Sequence, residues 1–489
     1  MKLFNTLSRQ KEEFVPLVPG KVGVYTCGPT VYMFAHIGNF RAYVFSDTLR
    51  RVLEYSGFEV RHVMNVTDVG HLTSDEDTGE DKLEKGARAE GKTPEEIARF
   101  YEAAFWQDAD KLNILRPHVV CHATEHIPEM LEVVRRIEAN GFAYRTSVGL
   151  ILDTARYEDY PRLGRLKLDA QQAGARTTVD PERRNPSDFA LWITNQPKHL
   201  MQWDSPWGRG FPGWHLECSA MSVKYLGERF DIHTGGIDHI PVHHTNERAQ
   251  NFAAYGHEVV NYWMHNAFLT LGDARMGKSE GNLITISQLQ ERGVEPAAFR
   301  YLCHTALYRM PLNFSEESVA SAKNSLAGLV DFGRMAQTWP QASSPKPQAE
   351  DWTGPFKRDF AEAIADDLNI PQALAVVWGV VKEGNKRQDR AAWDLLLDFD
   401  RVLGLGLTAV KPYTVSQGTS LSAAAQVTRS YPSDVPAGVR KLADDREAAR
   451  KAKQWAESDR LRDEIARLGY VVEDTKDGWR LKPKSRYRN

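Results

Sequence analysis

Cysteine, long apolar runs and net charge are all scarce in this sequence of 489 residues. Its four cysteines lie far apart and form no Cys-x-x-Cys pair, which excludes a disulfide scaffold. Apolar runs such as 189–192 fall far short of the ~20 residues that a membrane-spanning helix requires. The first residues do not form a charged and then apolar leader. We therefore expect a cytoplasmic protein that does not contact a membrane.

Charge is nearly balanced, since 62 Lys and Arg face 65 Asp and Glu. The net charge of −3 argues against a protein that coats nucleic acid generally. Residues 437–489 differ, because they hold 15 basic against 10 acidic side chains. Such a basic tail is more often a solvated end than a binding face, but it permits a polyanionic partner.

The beginning of the chain has the pattern of a β-α-β unit. A short strand at 22–25 is followed by a helical pattern that Gly57 ends, and 59–66 then reads as a second strand. This order predicts a parallel, doubly wound sheet, in which ligands lie at the carboxyl ends of the strands. The stretch 230–236 is another strand-to-loop transition of this kind.

The second half of the chain is predicted to be helical from about residue 316. Apolar residues recur at helical spacing over 361–379 and 391–403, and stretches rich in Pro, Ser and Gln at 339–347 and 408–436 are typical of linkers. A charged helix and a short β-like end follow. The predicted segments are a parallel-sheet domain at 1–315, a helical bundle at 316–407, a linker at 408–436 and a small basic unit at 437–489.

Two short motifs could bind phosphate. The first is His36-Ile-Gly-Asn39, where Gly38 lets a polyanion approach the backbone at a helix start and His36 can donate a hydrogen bond. The second is Arg275-Met-Gly-Lys-Ser279, where Lys278 could clamp phosphate although no P-loop motif is present. Each motif taken alone is as well explained by an ordinary surface turn or loop.

A third motif could bind a metal ion. His243 and Glu247 are four residues apart, so on a helix they project from one face and can share an ion, although such a pair is more often a surface contact. Cys27 and Cys218 could add two thiolates, which would complete a tetrahedral Zn²⁺ set. Spacing alone does not bring these four residues together.

Taken together, the motifs resemble one family. HIGN is similar to the HIGH signature, and RMGKS to the KMSKS signature, of class I aminoacyl-tRNA synthetases. The stretches TCGPTVY, GWHLECSAM, HTGGIDHIPVHHTNE and DDLNIPQALA resemble cysteinyl-tRNA synthetases specifically. The resemblance runs nearly from end to end, and the joint order of the motifs is far more specific than any one of them.

The resemblance implies an α/β fold, with a Rossmann-like parallel-sheet catalytic domain that carries an inserted segment, then a helical bundle and a small C-terminal anticodon-binding domain. It also implies site residues. The implied zinc ligands are Cys27, Cys218, His243 and Glu247. The implied catalytic residues are His36, Asn39, Lys278 and Ser279, with Gly38 and Gly236 also at ATP. The implied contacts to cysteine or its adenylate are Thr67, Trp214 and Asp238. Trp479 could stack an unpaired anticodon base, or could equally belong to the core of the small C-terminal domain.

Three departures from the family pattern bear on ATP handling and on the metal site. Asn39 replaces the second His of HIGH and offers an amide without charge, while Gly277 replaces the first Ser of KMSKS and loosens that loop. Thr245 stands where many members carry Glu. We expect slower or weaker ATP handling from these changes, without loss of activity.

The implied activity is the ATP-dependent ligation of L-cysteine to tRNA(Cys) through a cysteinyl-adenylate. One Zn²⁺ per chain would select the cysteine thiolate, Mg²⁺ would accompany ATP, and the protein would be a monomer. Two alternatives remain: a related ligase that joins cysteine to an amino sugar in mycothiol synthesis, and a non-catalytic, zinc-stabilised RNA-binding paralogue. Residues 437–489 argue against the first, and His36, Lys278 and Ser279 argue against the second.

Overall fold

The fold is described from a computed structural model. It describes residues 1–70, 82–166, 182–272, 274–275, 283–340, 351–412, 436–452, 454–475 and 478–483. The strands are β1 (Lys2–Asn5), β2 (Gln10–Glu13), β3 (Lys21–Thr26), β4 (Glu59–Val66), β5 (Val119–His122), β6 (Ala143–Arg145), β7 (Gly149–Leu152), β8 (Phe189–Thr194), β9 (Gly210–Pro212), β10 (Phe230–Gly236), β11 (Val260–Asn266), β12 (Leu269–Leu271), β13 (Ala274–Arg275), β14 (Leu312–Asn313), β15 (Tyr470–Thr475) and β16 (Gly478–Pro483). The α-helices are α1 (Ile37–Tyr55), α2 (Lys82–Glu90), α3 (Pro94–Lys111), α4 (Ile127–Ala139), α5 (Trp214–Leu226), α6 (His243–Tyr255), α7 (Ile286–Glu291), α8 (Pro296–His304), α9 (Glu316–Ala336), α10 (Thr353–Ala365), α11 (Ile370–Arg387), α12 (Ala391–Leu403), α13 (Ala437–Lys451) and α14 (Trp455–Arg467).

A five-stranded parallel sheet lies at the centre of the first part of the chain. Its strand order is β11-β10-β3-β4-β5. The chain therefore moves from β3 towards one edge through β4 and β5, and then returns to build the other half through β10 and β11. The reversal between β3 and β10 is the switch point at which doubly wound sheets bind ligands. The predicted β-α-β unit and parallel sheet are confirmed.

The inserted segment lies between β5 and β10. It contains a four-stranded antiparallel sheet of order β6-β7-β8-β9, together with helices α4 and α5. Every residue of β8 is buried, so this strand lacks the alternation of buried and exposed residues that marks a strand in a sequence. Helix α5 then returns the chain to the central sheet.

The helical region differs from its prediction at one point. The apolar spacing over 361–379 predicts helix, but the structure divides this stretch into α10 and α11. Asp367 and Leu368, between the two helices, have φ of 60° and 53°. The Asp367 carboxylate accepts hydrogen bonds from the Phe4 N–H at 2.8 Å and the Tyr308 hydroxyl at 2.7 Å. These tertiary bonds favour the break, which ties the helical region to the N-terminal hairpin.

A buried ion network joins α1 to α8 and α12. Asp47 forms ion pairs with Arg51 and with Arg300, and the Arg300 Nε donates to the Leu403 carbonyl at 2.6 Å. Burial alone would raise the pKa of Asp47, but the charges of Arg300 and Arg51 outweigh it and hold this pKa below its ordinary value. The network fixes the first helix of the sheet domain against the helical region.

The chain divides into two compact units, Met1–Tyr413 and Thr414–Asn489. In the second unit, α13 and α14 pack with the β15–β16 hairpin around a small apolar core that includes Val439, Ile465 and Leu481. The predicted charged helix and β-like end are confirmed. Most of the predicted linker, 413–435, lies outside the described residues. The predicted domain bounds, including the division at 315, stay predictions. Among the described helices, none is long and apolar enough to cross a membrane.

Candidate functional site

The candidate site lies at the carboxyl ends of β3 and β10, at the switch point of the central sheet. Cys27 directly follows β3, and helix α5 carries Cys218. His243 and Glu247 lie one turn apart on α6, which follows β10. The two helices pack against each other. The sheet topology therefore brings together residues that are about 190 to 220 positions apart in sequence.

The four residues form a tight cluster in which the possible ligand atoms all lie within 4.8 Å of one another. The Cys27 and Cys218 sulfurs are 3.8 Å apart, and both thiols are free. Glu247 Oε1 lies 3.8 Å from the Cys27 sulfur and 3.0 Å from the His243 Nε2. A buried cluster of two thiols, an imidazole and a carboxylate is a set of residues that can hold a metal ion.

Burial and neighbouring charges both shift the pKa values of the residues in this cluster. Burial raises the pKa of the Cys27 thiol well above its ordinary value, and the neighbouring Cys218 and Glu247 reinforce the effect. The hydrogen bond from Cys27 lowers the pKa of Cys218 to about 7. Although burial opposes it, the Glu247 carboxylate raises the pKa of His243 to about 10. The Glu247 carboxylate and the readily ionised Cys218 thiol thus lie together in a largely buried cluster, where a cation is favoured.

A second layer of histidines lies beneath this cluster, and sequence reasoning missed it. His244 Nε2 is 3.3 Å from the Cys27 sulfur, and its Nδ1 is 2.7 Å from His265 Nε2. His233 Nε2 is 2.9 Å from Glu247 Oε2. Cys27, His233, His244 and Glu247 also lie close enough to hold one ion. This second set shares two residues with the first, so two independent ions cannot occupy both.

The residues implied to contact cysteine or its adenylate lie in two places. The Thr67 hydroxyl donates to Glu217 at 3.1 Å, next to Cys218 on α5. The Trp214 ring lies 4.7 Å from the His243 ring, centre to centre. Asp238 lies just beyond β10, and its charge acts on His36. Thr67 and Trp214 therefore lie beside the metal cluster, and Asp238 lies near the start of α1.

Gly236 lies against the Asp238 carboxylate. A Cβ at this position would lie 2.2 Å from Asp238 Oδ1, so a side chain here would displace that carboxylate. The implied contact of Gly236 with ATP stays a prediction.

The HIGN motif forms the N-terminus of α1. His36 is the N-cap residue, and its Nδ1 accepts the backbone N–H of Asn39 at 3.3 Å. Asn39 Oδ1 in turn accepts the backbone N–H of His36 at 3.1 Å. This reciprocal pair is a capping box, so the side chain of Asn39 holds the helix start, and Gly38 lies in the first turn. Burial lowers the pKa of His36, although Asp238 opposes the effect, so the ring is neutral near pH 7.

Lys278 and Ser279 lie outside the described residues. The described chain resumes at residue 283, and the Ile284 carbonyl accepts the backbone N–H of Ile37 at 2.8 Å. The segment that follows the RMGKS motif is therefore bonded to the start of α1, beside His36.

The C-terminal unit contains a further aromatic residue that sequence reasoning missed. Trp479 pairs with Asp474 in the β15–β16 hairpin, but its side chain lies outside the described residues. Trp455 begins α14 and is 60% exposed. An exposed indole on a basic unit offers a flat ring on which an unpaired base can stack.

Comparisons with known proteins agree along the whole chain. Residues 13–324 match the family described as tRNA synthetases class I (C) catalytic domain, residues 359–408 match the DALR domain, and residues 433–480 match the cysteinyl-tRNA ligase anticodon binding domain. The chain is 46% identical to cysteine–tRNA ligase 1 of Burkholderia lata, over 98% of this chain and 96% of that protein. It is 43% identical to the cysteine–tRNA ligase of Treponema denticola, over 97% and 98%.

Solved structures give the same fold. Methionyl-tRNA synthetase of Mycobacterium tuberculosis, in complex with methionyl-adenylate, matches with a TM-score of 0.55 over 79% of this chain and 88% of that one. The identity is 16%, so this likeness concerns the fold alone.

Proposed function

Because the chain belongs to the cysteine–tRNA ligase family, we propose that it joins L-cysteine to tRNA(Cys) in two steps, with ATP as the source of activation. In the first step, a carboxylate oxygen of cysteine attacks the α-phosphorus of ATP and displaces pyrophosphate. In the second, a hydroxyl of the 3′-terminal ribose attacks the acyl carbon of the cysteinyl-adenylate and displaces AMP. The enzyme is a class I aminoacyl-tRNA synthetase.

The observation that supports the selection of cysteine is the cluster of Cys27, Cys218, His243 and Glu247. Two sulfurs bound at about 2.3 Å to a tetrahedral Zn²⁺ lie about 3.8 Å apart, which is the distance between these two. The soft, mixed donor set also suits zinc rather than magnesium or calcium. We propose that these four residues hold one Zn²⁺.

A bound metal ion would allow the protein to distinguish cysteine from serine. Cysteine differs from serine by sulfur in place of oxygen, and a hydrophobic pocket separates such similar side chains poorly. Zn²⁺ held by these four residues would have to take a fifth ligand, and a thiolate sulfur would suit that position where a serine hydroxyl is a poor substitute. Thr67, Trp214 and Asp238 would orient the rest of the amino acid.

The start of α1 would stabilise the phosphates. Since the nucleophile is the carboxylate of cysteine itself, the protein must position the reactants and stabilise charge more than remove a proton. His36 Nδ1 accepts the Asn39 N–H, which assigns the proton of the neutral ring to Nε2. That N–H can donate to a phosphate oxygen. Lys278 and Ser279 would act on the same phosphates, with Mg²⁺ accompanying ATP.

The anticodon-binding domain favours tRNA as the acceptor. A cysteine–amino-sugar ligase has no use for an anticodon-binding domain, yet residues 433–480 match one. We propose that the exposed indole of Trp455, together with Trp479, stacks unpaired anticodon bases while basic side chains contact phosphates. A cytoplasmic location and a monomeric state stay predictions from the sequence.

The test is the transfer of labelled cysteine to total tRNA in the presence of ATP, with zinc-loaded and zinc-depleted protein compared. We expect charging only by the zinc-loaded protein. Cys218→Ala should lose bound zinc and cysteine affinity, whereas Cys121→Ala, which removes another buried thiol outside the cluster, should keep both. Folded, zinc-loaded protein that charges no tRNA would refute the ligase. Equal cysteine binding with and without zinc would refute selection by the metal.

A further inference from the structure

Three aromatic rings form an exposed platform beside the candidate site. The Phe34 ring lies 5.8 Å from the Phe100 ring and 5.0 Å from the Tyr101 ring, centre to centre, and both contacts are edge to face. Phe100 and Tyr101 are also in edge-to-face contact, at 5.2 Å. Phe34 remains 46% exposed and Phe100 remains 47% exposed. We call these three residues the aromatic platform.

The platform is held in place from below. Phe100 and Tyr101 lie on α3, whose start is fixed by a capping box between Thr93 and Glu96. Tyr101 packs on a small apolar cluster that contains Val31, three residues before Phe34. Two of the three rings are therefore positioned by a helix, and Phe34, in the connection between β3 and α1, packs against both of them.

A cation accompanies the exposed ring faces. The Lys92 ammonium lies over the Phe100 ring, 5.1 Å from its centre. Exposed aromatic faces combined with a neighbouring cation are the features by which proteins bind single-stranded nucleic acid, since bases stack on the rings and phosphates pair with the cation. An apolar protein partner would have no use for the lysine at this position.

The position of the platform indicates which nucleotide it meets. Phe34 lies two residues before His36, at the start of α1, and seven residues after Cys27, in the metal cluster. The second step of the reaction requires the single-stranded 3′ end of the tRNA to reach the adenylate between these two places. Phe34 belongs to the segment that joins these two places, so the platform is adjacent to the reaction centre along the chain.

We propose that the aromatic platform binds an unpaired nucleotide at the 3′ end of the tRNA, through stacking on Phe34 or Phe100 and a phosphate contact from Lys92. The proposal rests on the proposed function, because it assigns a binding surface to the tRNA substrate of that reaction. It adds a tRNA contact in the first unit of the chain, separate from those of the anticodon-binding unit.

The experiment compares Phe100→Leu, which keeps an apolar side chain but removes the aromatic face, with Phe100→Tyr, which keeps the face. Val18→Ala changes another exposed apolar residue and serves as the control. Two reactions are measured: cysteine-dependent exchange of pyrophosphate into ATP, which needs no tRNA, and charging of tRNA. Base stacking on an aromatic ring predicts that Phe100→Leu lowers kcat/KM for tRNA roughly 5- to 150-fold. Pyrophosphate exchange should stay unchanged, and Phe100→Tyr should restore charging.

A truncated substrate locates the contact. Tight binding to intact tRNA should weaken in Phe100→Leu, whereas tRNA that lacks its unpaired 3′ nucleotides should bind wild type and variant equally. If Phe100→Leu does not fold, Phe34→Leu replaces it.

Three results would overturn the proposal: unchanged kcat/KM for intact tRNA, an equal loss with truncated tRNA, or an equal loss of pyrophosphate exchange. Failure of the proposed function looks different, because wild-type protein itself would then charge no tRNA.

Discussion

Replacement of Gly28 by Ala tests how the metal cluster is built. Gly28 directly follows Cys27, and a Cβ at this position would lie 1.6 Å from the backbone carbonyl oxygen of Asn65, where real Cβ atoms keep at least 3.0 Å. The carbonyl belongs to β4, which is paired on both sides within the central sheet, so Gly28 and its neighbour Cys27 must move instead. Metal sites tolerate only about ±0.2 Å in ligand distances.

We expect Gly28→Ala to lower zinc affinity about 10- to 100-fold, in the range of changes to residues that position ligands. The free energy of unfolding should fall by about 1–3 kcal/mol, as for other overpacked sites. Metal analysis after dialysis against a graded chelator measures the affinity, and denaturant unfolding measures the stability. Cysteine-dependent pyrophosphate exchange should fall with the zinc content.

Gly23→Ala is the matched control on the same strand. A Cβ there would meet Leu226 at 3.4 Å and Phe230 at 3.5 Å, which are ordinary contacts. This variant should keep its zinc, its stability and its activity. Gly28→Ala protein that retains zinc as tightly as Gly23→Ala would refute the reasoning, because it would show that Cys27 can shift without disturbing the cluster.

Two further predictions concern stability and tRNA binding. Asp47→Asn should lower the free energy of unfolding by about 3–5 kcal/mol at pH 7, because it leaves the buried Arg300 without its carboxylate. The control is Asp110→Asn, at an exposed ion pair, which should change the free energy of unfolding by less than about 1 kcal/mol. In the folded protein, the pKa of Asp47 lies below its ordinary value. Its carboxylate therefore stabilises the fold above about pH 4, and this stabilisation is lost as the pH falls further. Denaturant unfolding should show that the difference in stability between wild type and Asp47→Asn becomes smaller below about pH 4. Trp455→Leu should weaken tRNA binding by about 1–3 kcal/mol in a filter-binding assay and leave pyrophosphate exchange unchanged. If tRNA binding does not change, Trp455 does not stack on an anticodon base, and Trp479 is the remaining candidate.

In the sheet domain, strands could be predicted from the sequence where neighbouring residues alone determine the structure. Strand Glu59–Val66 has the predicted bounds, because its apolar residues and the preceding Gly57 are sufficient signals. The break between α10 and α11 also has a local signal, because Asn369 caps α11 and Pro371 lies in its first turn. The bonds from Asp367 to Phe4 and Tyr308 could not be predicted, because these residues are remote in sequence.

In the candidate site too, contacts between residues close in sequence could be predicted, whereas contacts between remote residues could not. His243 and Glu247 can be paired from the sequence, because residues four apart share a helix face. Cys27 and Cys218 are separated by 191 residues, so only the family resemblance joined them before the structure did. His233 and His244 were visible as part of a histidine-rich stretch, but their role depends on β10 and α6 facing each other.

The sheet topology also sets the order in which the site can be completed during synthesis. Glu247 is made 220 residues after Cys27, which at ~5–20 residues per second is a delay of roughly 10–40 s. Until then, a ribosome-bound chain holds at most the two thiols, and β10 must pair with β3 before α6 can add its imidazole and carboxylate. A chain that stops short of residue 243 therefore lacks half of the metal cluster, so completion of the site reports that four of the five strands of the central sheet, all but β11, have been made.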